Sequence, residues 1–471
     1  MKAFKEGIPL ILDEINLASE EILQCIEGAL DSGEININIS GIGTVTQKKK
    51  EGFCLIATQN PNKGNYKNKR QNLSKSFLSH FQIIKFPSFE IKELKEIARK
   101  LFLSFNNNKK YDKKDKEAID DLINFHKEWT SLDEVKDEII CFTIREIVAA
   151  VKAYIDENKT NLFKIVKVIY ASRYTNDRKQ EMLKRLEKYY TFKKDYYQYK
   201  SQLKYKNSLK FNIPGLYENI IINEVIESAL FSLEKKRNII IVGNFGAGKS
   251  YISREISKLY NSRKKRNKDD FYHFICTEET KCSDLIGYIS PRKEKTINED
   301  EVILEWKEGF LSNSIENGKI VILDNLQEAD STITERLNGL LDIKYDENKK
   351  GRKFDIPENP DKSSIIIHDD FRIIGVCDSQ NIMNMSPAFL NRFDIIVLEN
   401  QLENINYDNF KILLKILLER EEELESKNKN LKLYKDDDNF DKIVDKLYNI
   451  KNYYDKEQFS IINISRFCYS L

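Results

Sequence analysis

Gly243-Asn244-Phe245-Gly246-Ala247-Gly248-Lys249-Ser250 spells GxxxxGK[ST]. It follows an apolar run, Ile239–Val242, and leads into the helical pattern Tyr251–Tyr260. Strand, glycine-rich loop and helix in that order form a phosphate cradle, because loop N–H groups and a helix N-terminus converge on an anion. Residues 243–251, through Tyr251, are the candidate ATP-binding stretch. Lys249 would reach the β- and γ-phosphates, and Ser250 would ligate Mg²⁺. The chain has only 17 glycines in 471 residues, about half the usual share, so a cluster of three within one loop carries information.

Acidic residues at two other apolar strand ends can complete such chemistry. Ile320-Val321-Ile322-Leu323 ends in Asp324, and Leu10-Ile11-Leu12 ends in Asp13. Each carboxylate is a candidate Mg²⁺ holder, directly or through water; taken alone, either reads equally as a helix N-cap or a solvated carboxylate. Glu14 follows Asp13 and can activate water. Asn325 follows Asp324 and cannot act as a base. Asn60, in Ala57-Thr58-Gln59-Asn60-Pro61, can position the attacking water, whereas Asp378 occupies the corresponding place later in the chain. Arg392, expected to be exposed at the end of a helix, can act on a γ-phosphate across a boundary; its earlier counterpart is the shorter, mostly neutral His80. Arg145 and Arg466 stand at helix starts and can sense a nucleotide. A surface ion pair is the plain alternative for each arginine.

The elements that must position these residues recur twice. Apolar runs of strand length at Pro9–Leu12, Phe53–Ala57, Ile239–Val242, Ile320–Leu323, Ile373–Val376 and Ile395–Leu398 fit a parallel sheet buried on both faces. Helical patterns such as Glu20–Leu30 and Ser331–Leu341 alternate with them, which predicts a doubly wound α/β fold. Four blocks repeat in order. Leu12-Asp13-Glu14-Ile15-Asn16-Leu17-Ala18 matches Leu323-Asp324-Asn325-Leu326-Gln327-Glu328-Ala329, and Phe53-Cys54-Leu55-Ile56 matches Phe371-Arg372-Ile373-Ile374. The stretch from Leu73 to Phe81 matches that from Met385 to Phe393, and Phe142-Thr143-Ile144-Arg145 matches Asn463-Ile464-Ser465-Arg466. The repeat predicts two copies of one module. The separation of Lys249 from Asp324, measured back from Asp13, runs past Met1. A phosphate loop for the first copy is therefore expected upstream, in a longer protein.

Composition narrows the function classes. Lys+Arg is 77 and Asp+Glu 75, a net charge of +2, so neither nucleic acid nor an anionic membrane is an expected partner. The Lys/Tyr-rich piece Lys184–Lys206 can be a nucleic-acid surface; the plainer reading is a solvated amphipathic helix joining domains. Seven scattered cysteines and four histidines show neither a disulfide framework nor zinc-ligand spacing, which points to a reducing, intracellular compartment. No apolar run approaches the length of a membrane span.

These blocks resemble the AAA+ ATPases, in particular the dynein-related, midasin-like branch, which carries several modules in one chain. The blocks from Leu12 to Ala18 and from Ala57 to Pro61 carry the resemblance. So do Thr280 with Asp284-Leu285-Ile286-Gly287, Trp306-Lys307-Glu308-Gly309, and Glu335-Arg336-Leu337-Asn338-Gly339-Leu340-Leu341. The resemblance implies tandem AAA+ modules, each a parallel-sheet α/β core with a helical lid. The expected boundaries are a first core lacking its beginning (1–90), a helical lid and linker (91–210), a complete core with the phosphate loop (211–400) and a second lid (401–471). It implies ATP and Mg²⁺ as cofactors and other modules of the same chain as partners. It also implies a macromolecular substrate, the pre-60S ribosomal particle in the nucleus for a midasin-like protein. In such a family Arg392 would complete the first module's site, with Asp13, Glu14, Asn60 and Arg145. Asn325, Asp378 and His80 depart from an active pattern, so the isolated chain is expected to bind ATP with little hydrolysis.

Overall fold

The computed structural model describes residues 2–39, 43–59, 72–107, 110–132, 135, 142–196, 220–295, 300–341, 352–362, 364–399, 407–408, 410–415 and 437–453. Asn60 and Arg466 lie outside these residues, as does most of the region after 415. The chain divides into two compact units: Met1–Glu90 with Leu132–Ile139, and Ile91–Ser131 with Ile140–Leu471.

In the first unit, β1 (Leu10–Leu12) runs parallel to β4 (Leu55–Ala57), with Leu10 opposite Leu55 and Leu12 opposite Ala57. Between them lie the helix Glu20–Ser32 and an antiparallel hairpin of β2 (Glu34–Ile39) and β3 (Gly43–Lys48). Ile15, Leu23 and Phe77 form a small core, flanked by Leu12, Ala57 and Phe81.

The second unit is built on a five-stranded parallel sheet. Its strands are β5 (Ile239–Gly243), β6 (Phe271–Ile275), β9 (Ile320–Asp324), β12 (Arg372–Asp378) and β13 (Asp394–Leu398), in the order β13-β5-β12-β9-β6. Every residue of β5 and β9 is buried, as their unbroken β-branched runs require of strands covered on both faces. Antiparallel pairs attach to this core: the long hairpin of β7 (Gly287–Lys295) with β8 (Asp300–Glu308), and the short pair β10 (Lys353–Asp355) with β11 (Ser364–Ile366). The helix Lys249–Arg263 packs Ile252, Ile256 and Tyr260 onto the sheet face formed by Ile239, Ile241, Ile320, Ile322, Ile374 and Val376. β5 lies between β12 and β13: the chain leaves the carboxyl end of β5 toward β6 on one side, and leaves that of the neighbouring β12 toward β13 on the other. Crevices at such switch points are where open α/β sheets bind ligands.

The helical region belongs to the same unit as this core. The helix Lys113–Thr130 buries Ala118, Ile119, Leu122, Ile123, Phe125 and Trp129, a three-to-four spacing that gives it one apolar face. The helix Ile144–Asp156 starts in a capping box between Thr143 and Glu146. Further along, Ser172 Oγ donates to Ile395 O of β13 (2.9 Å), and Lys235 pairs with Glu157 (2.6 Å). Glu224, on the helix Ile220–Glu234, takes Lys167 at 2.9 Å and Lys179 at 2.5 Å. At the far end, the described part of the last region is helical over Asp437–Tyr453, with Val444 and Leu447 buried. Among the described residues no helix is long and apolar enough to cross a membrane.

Inside the helical region His126 Nδ1 lies 2.9 Å from Tyr170 Oη, and burial lowers its pKa to about 4. An unfolded histidine titrates near 6.5. Between these values the unfolded chain binds a proton that the folded one refuses. Stability is therefore full above about pH 6.5 and falls as pH drops toward 4, by on the order of 3 kcal/mol. Urea melts of wild type and His126→Gln at pH 7 and 4.5 check this. The wild type should lose more stability on acidification; equal losses contradict the assignment.

Candidate functional site

The phosphate loop has the backbone its glycines predict. Gly246 and Gly248 adopt φ of 77° and 85°, in the left-handed region that disfavours side chains. A Cβ at Gly248 would point into open space, whereas one at Gly243 would lie 2.5 Å from Leu398 O. The first glycine thus lets β13 pass, and the last opens the helix N-terminus to a ligand. Lys249 Nζ donates to Gly243 O (2.7 Å) and Asn244 O (2.8 Å) and stands 3.6 Å from Asp378 Oδ2. Burial lowers the Lys249 pKa, while Asp378 and, more weakly, Asp324 push it back up. An open cleft of about 190 Å³ lies beside the loop, lined by Asn244, Phe245, Asp378, Gln380 and Asn381.

Strand register explains why the carboxylates meet the lysine. Ile322 pairs with Ile374, and Ile374 with Ile239, so Asp324, Asp378 and Gly243 all fall on the sheet face covered by the helix Lys249–Arg263. Asp324 is buried at 6% exposure. Its Oδ1 accepts the N–H of Asn325 (3.0 Å), and its Oδ2 lies 3.0 Å from His273 Nε2 on β6. The residues fit a nucleotide with its metal: N–H groups and a lysine for phosphate, with Ser250 and Asp324 as hard oxygen ligands for Mg²⁺.

The earlier acidic strand end reproduces the later one. Leu12 opposes Ala57 as Leu323 opposes Gly375, which is the alignment of the sequence blocks. Glu14 has φ 52°, ψ 47° and Asn325 φ 53°, ψ 42°. Each precedes a three-residue 3₁₀ turn, Ile15–Leu17 or Leu326–Glu328. Asparagine tolerates this left-handed conformation better than glutamate, so Glu14 carries more backbone strain there than Asn325. The backbone there is tied by Glu14 N–H to Thr58 Oγ1 (3.1 Å) and Ile15 N–H to Thr58 O (3.0 Å), while the Thr58 hydroxyl donates to Asp13 Oδ1. Ser74 caps the helix Lys75–Ser79 through Phe77 N–H (2.9 Å), as Ser386 caps Pro387–Leu390 through Phe389 N–H (3.1 Å).

Other expected residues fall differently. Arg392, expected to be exposed, is half-buried and turns back to donate to Ala388 O of its own helix (2.6 Å). His80 Nε2 lies 3.3 Å from Asp31. Arg145 is exposed in the first turn of its helix, beside Glu146, which pairs with buried Arg173 at 3.2 Å. The blocks around Asp284 and Trp306 meet at the root of the β7–β8 hairpin: Gly287 pairs with Glu308, and a Cβ at Gly287 would strike Trp306. They shape the hairpin and do not line the cleft. Thr58 and His273 are contacts that sequence reasoning did not select; their signal is a polar side chain inside or just after a strand whose neighbour ends in aspartate.

Sheet order, loop and acidic strand end define a nucleotide-binding α/β core. The family model described as AAA domain (dynein-related subfamily) matches residues 238–393, and this segment is such a domain. The particular likeness of the chain is to midasin. It is 24% identical over 462 residues to the Midasin of Giardia intestinalis, a match covering 82% of this chain and 9% of that protein. The chain thus spans about a tenth of the length of that relative. Two solved structures of NtrX from Brucella abortus, one in complex with ADP, align with a TM-score of 0.32. They are 14% and 15% identical, cover 53% and 54% of this chain and 48% and 50% of their own, and are too distant to inform the reading.

Proposed function

We propose that this chain is an ATP–Mg²⁺-binding segment of a midasin-like mechanoenzyme, with two tandem AAA+ modules whose hydrolysis cycle moves one module against the next. The observation that carries it is the convergence of the Lys249 loop and Asp324 on one sheet face of an AAA domain. When bound, ATP–Mg²⁺ supplies the phosphoryl bond to be cleaved and the metal that neutralises its charge. Lys249 and the loop N–H groups bind the phosphates, Ser250 and Asp324 hold the metal, and the helix N-terminus orients the phosphates.

Hydrolysis belongs to the first module in this reading. Glu14 holds there the backbone position that Asn325 holds in the second, and a carboxylate takes a proton from water where an amide does not. The matching face of the first unit also fits a phosphate-loop segment from a longer protein. Ile11 and Ile56 are 66% and 50% exposed, while their counterparts Ile322 and Ile374 are fully buried beside the helix Lys249–Arg263. The likeness to Midasin supports remodelling of pre-60S ribosomal particles in the nucleus as the work done. A second reading, a nucleotide-regulated scaffold without hydrolysis, draws on Asn325, Asp378 and His80. Turnover assays on the longer protein separate the two. Glu14→Gln should lower kcat at least roughly 100-fold, the usual worth of a general base; turnover unchanged by Glu14→Gln sinks the first reading.

A further inference from the structure

We propose that His273 is a positioning residue for the metal-binding carboxylate of Asp324. The inference rests on the ATP–Mg²⁺ reading of this site and goes beyond it by naming what aims the aspartate.

Among the described residues β6 is the edge strand of the sheet and pairs only with β9. Its sequence, Phe-Tyr-His-Phe-Ile, places one polar heterocycle among apolar neighbours. A histidine at such a position is ordinarily a packed core residue. Here Tyr272 and Phe274 face Phe310 on the opposite side, at ring separations of 5.8 and 4.9 Å, and His273 itself is only half-buried. His273 is opposite Ile322, so it shares the face of Asp324, one diagonal step away. Nε2–H donates to Asp324 Oδ2 at 3.0 Å, and Asn325 N–H donates to Oδ1 at 3.0 Å.

Two donors, one on each oxygen, fix the plane of the carboxylate. Each oxygen keeps a lone pair for a metal or its water. Asp324 ends its strand and precedes a left-handed residue, and these two donors hold its carboxylate there. Hydrogen bonds from outside a metal's own ligands commonly set affinity by 10–100-fold. The effect expected of His273 is therefore on the metal-dependent part of nucleotide affinity and not on phosphate binding.

The test measures affinity of the full chain for a fluorescent ATP analogue, once with Mg²⁺ and once with EDTA. Wild type should bind more tightly with Mg²⁺. His273→Phe should reduce that Mg²⁺ enhancement roughly 10- to 100-fold, leave affinity in EDTA within about twofold, and melt within a few degrees of wild type. His273→Gln, which keeps a donor, should recover part of the enhancement. In an Asp324→Asn background His273→Phe should change nothing further, a coupling that a purely structural role would not produce. An unchanged or larger Mg²⁺ enhancement in His273→Phe overturns the proposal, as do equal losses in Mg²⁺ and EDTA or additive effects with Asp324→Asn. Should His273→Phe fail to fold, His273→Gln and the Asp324→Asn pairing decide by the same criteria. Wild type that binds the analogue in neither condition overturns the underlying site as well.

Discussion

Lys249→Ala should weaken ATP–Mg²⁺ binding by at least roughly 100-fold while leaving the fold intact. The ammonium stands at the mouth of the loop, holding the carbonyls of Gly243 and Asn244 at 2.7 and 2.8 Å. On nucleotide binding it would exchange these carbonyls for phosphate oxygens, and hydrogen bonds between charged partners contribute about 1.5–3 kcal/mol each. Two such bonds exceed the roughly 2.8 kcal/mol that corresponds to 100-fold. Folding gains little from the same side chain, since its partial burial lowers its pKa and so disfavours the charged form. Calorimetry reads the affinity and a thermal melt the fold. Lost binding with an unchanged melting temperature is the expected pair of results; tight binding by the variant contradicts the assignment of Lys249.

Asp394→Ala should destabilise the second unit by about 3 kcal/mol, because it removes a buried carboxylate that takes two charge-assisted hydrogen bonds of about 1.5–3 kcal/mol each. Asp394 is 1% exposed and takes both Arg237 Nε, at 2.7 Å, and Arg237 Nη2. The pair pins the start of β13 beside the start of β5. Nearby, Asp394 N–H donates to Asn238 O (2.9 Å) and Asn238 Oδ1 accepts from Ile373 N–H (2.8 Å). Replacing both partners, Arg237→Met with Asp394→Leu, removes the charge problem along with the bond and should cost less than Asp394→Ala alone. Urea denaturation of wild type, Asp394→Ala and the double variant measures this; a double variant at least as unstable as Asp394→Ala contradicts it. Because the far end of β13 crosses Gly243, a loosened β13 should also weaken nucleotide affinity in Asp394→Ala.

The strands of the second core were legible because parallel strands buried on two faces require unbroken β-branched runs, as in Ile239–Val242 and Ile320–Leu323; those of the first, Leu10–Leu12 and Leu55–Ala57, showed only as short apolar runs, and Ile11 and Ile56 are exposed. The internal repeat proved sharper than composition. Aligning Leu12 with Leu323 also aligned strand register and the left-handed angles of Glu14 and Asn325. β6 escaped because an edge strand tolerates mixed residues, and the β7–β8 hairpin because it carries no continuous apolar run. The fold-back of Arg392 was unreadable, since a single rotamer decides whether a surface arginine reaches outward or to its own helix. Likewise, no local pattern showed that the helices from Ile91 onward join the Lys249 core, because contacts such as Ser172 to Ile395 link distant residues.

Nucleotide binding at the Lys249 loop can be measured directly on this chain. Titrating ATP–Mg²⁺ into the folded protein by calorimetry should show saturable binding at one site, abolished by Lys249→Ala and accompanied by little or no turnover. A folded protein that gives no binding, or brisk turnover that survives Lys249→Ala, would contradict it.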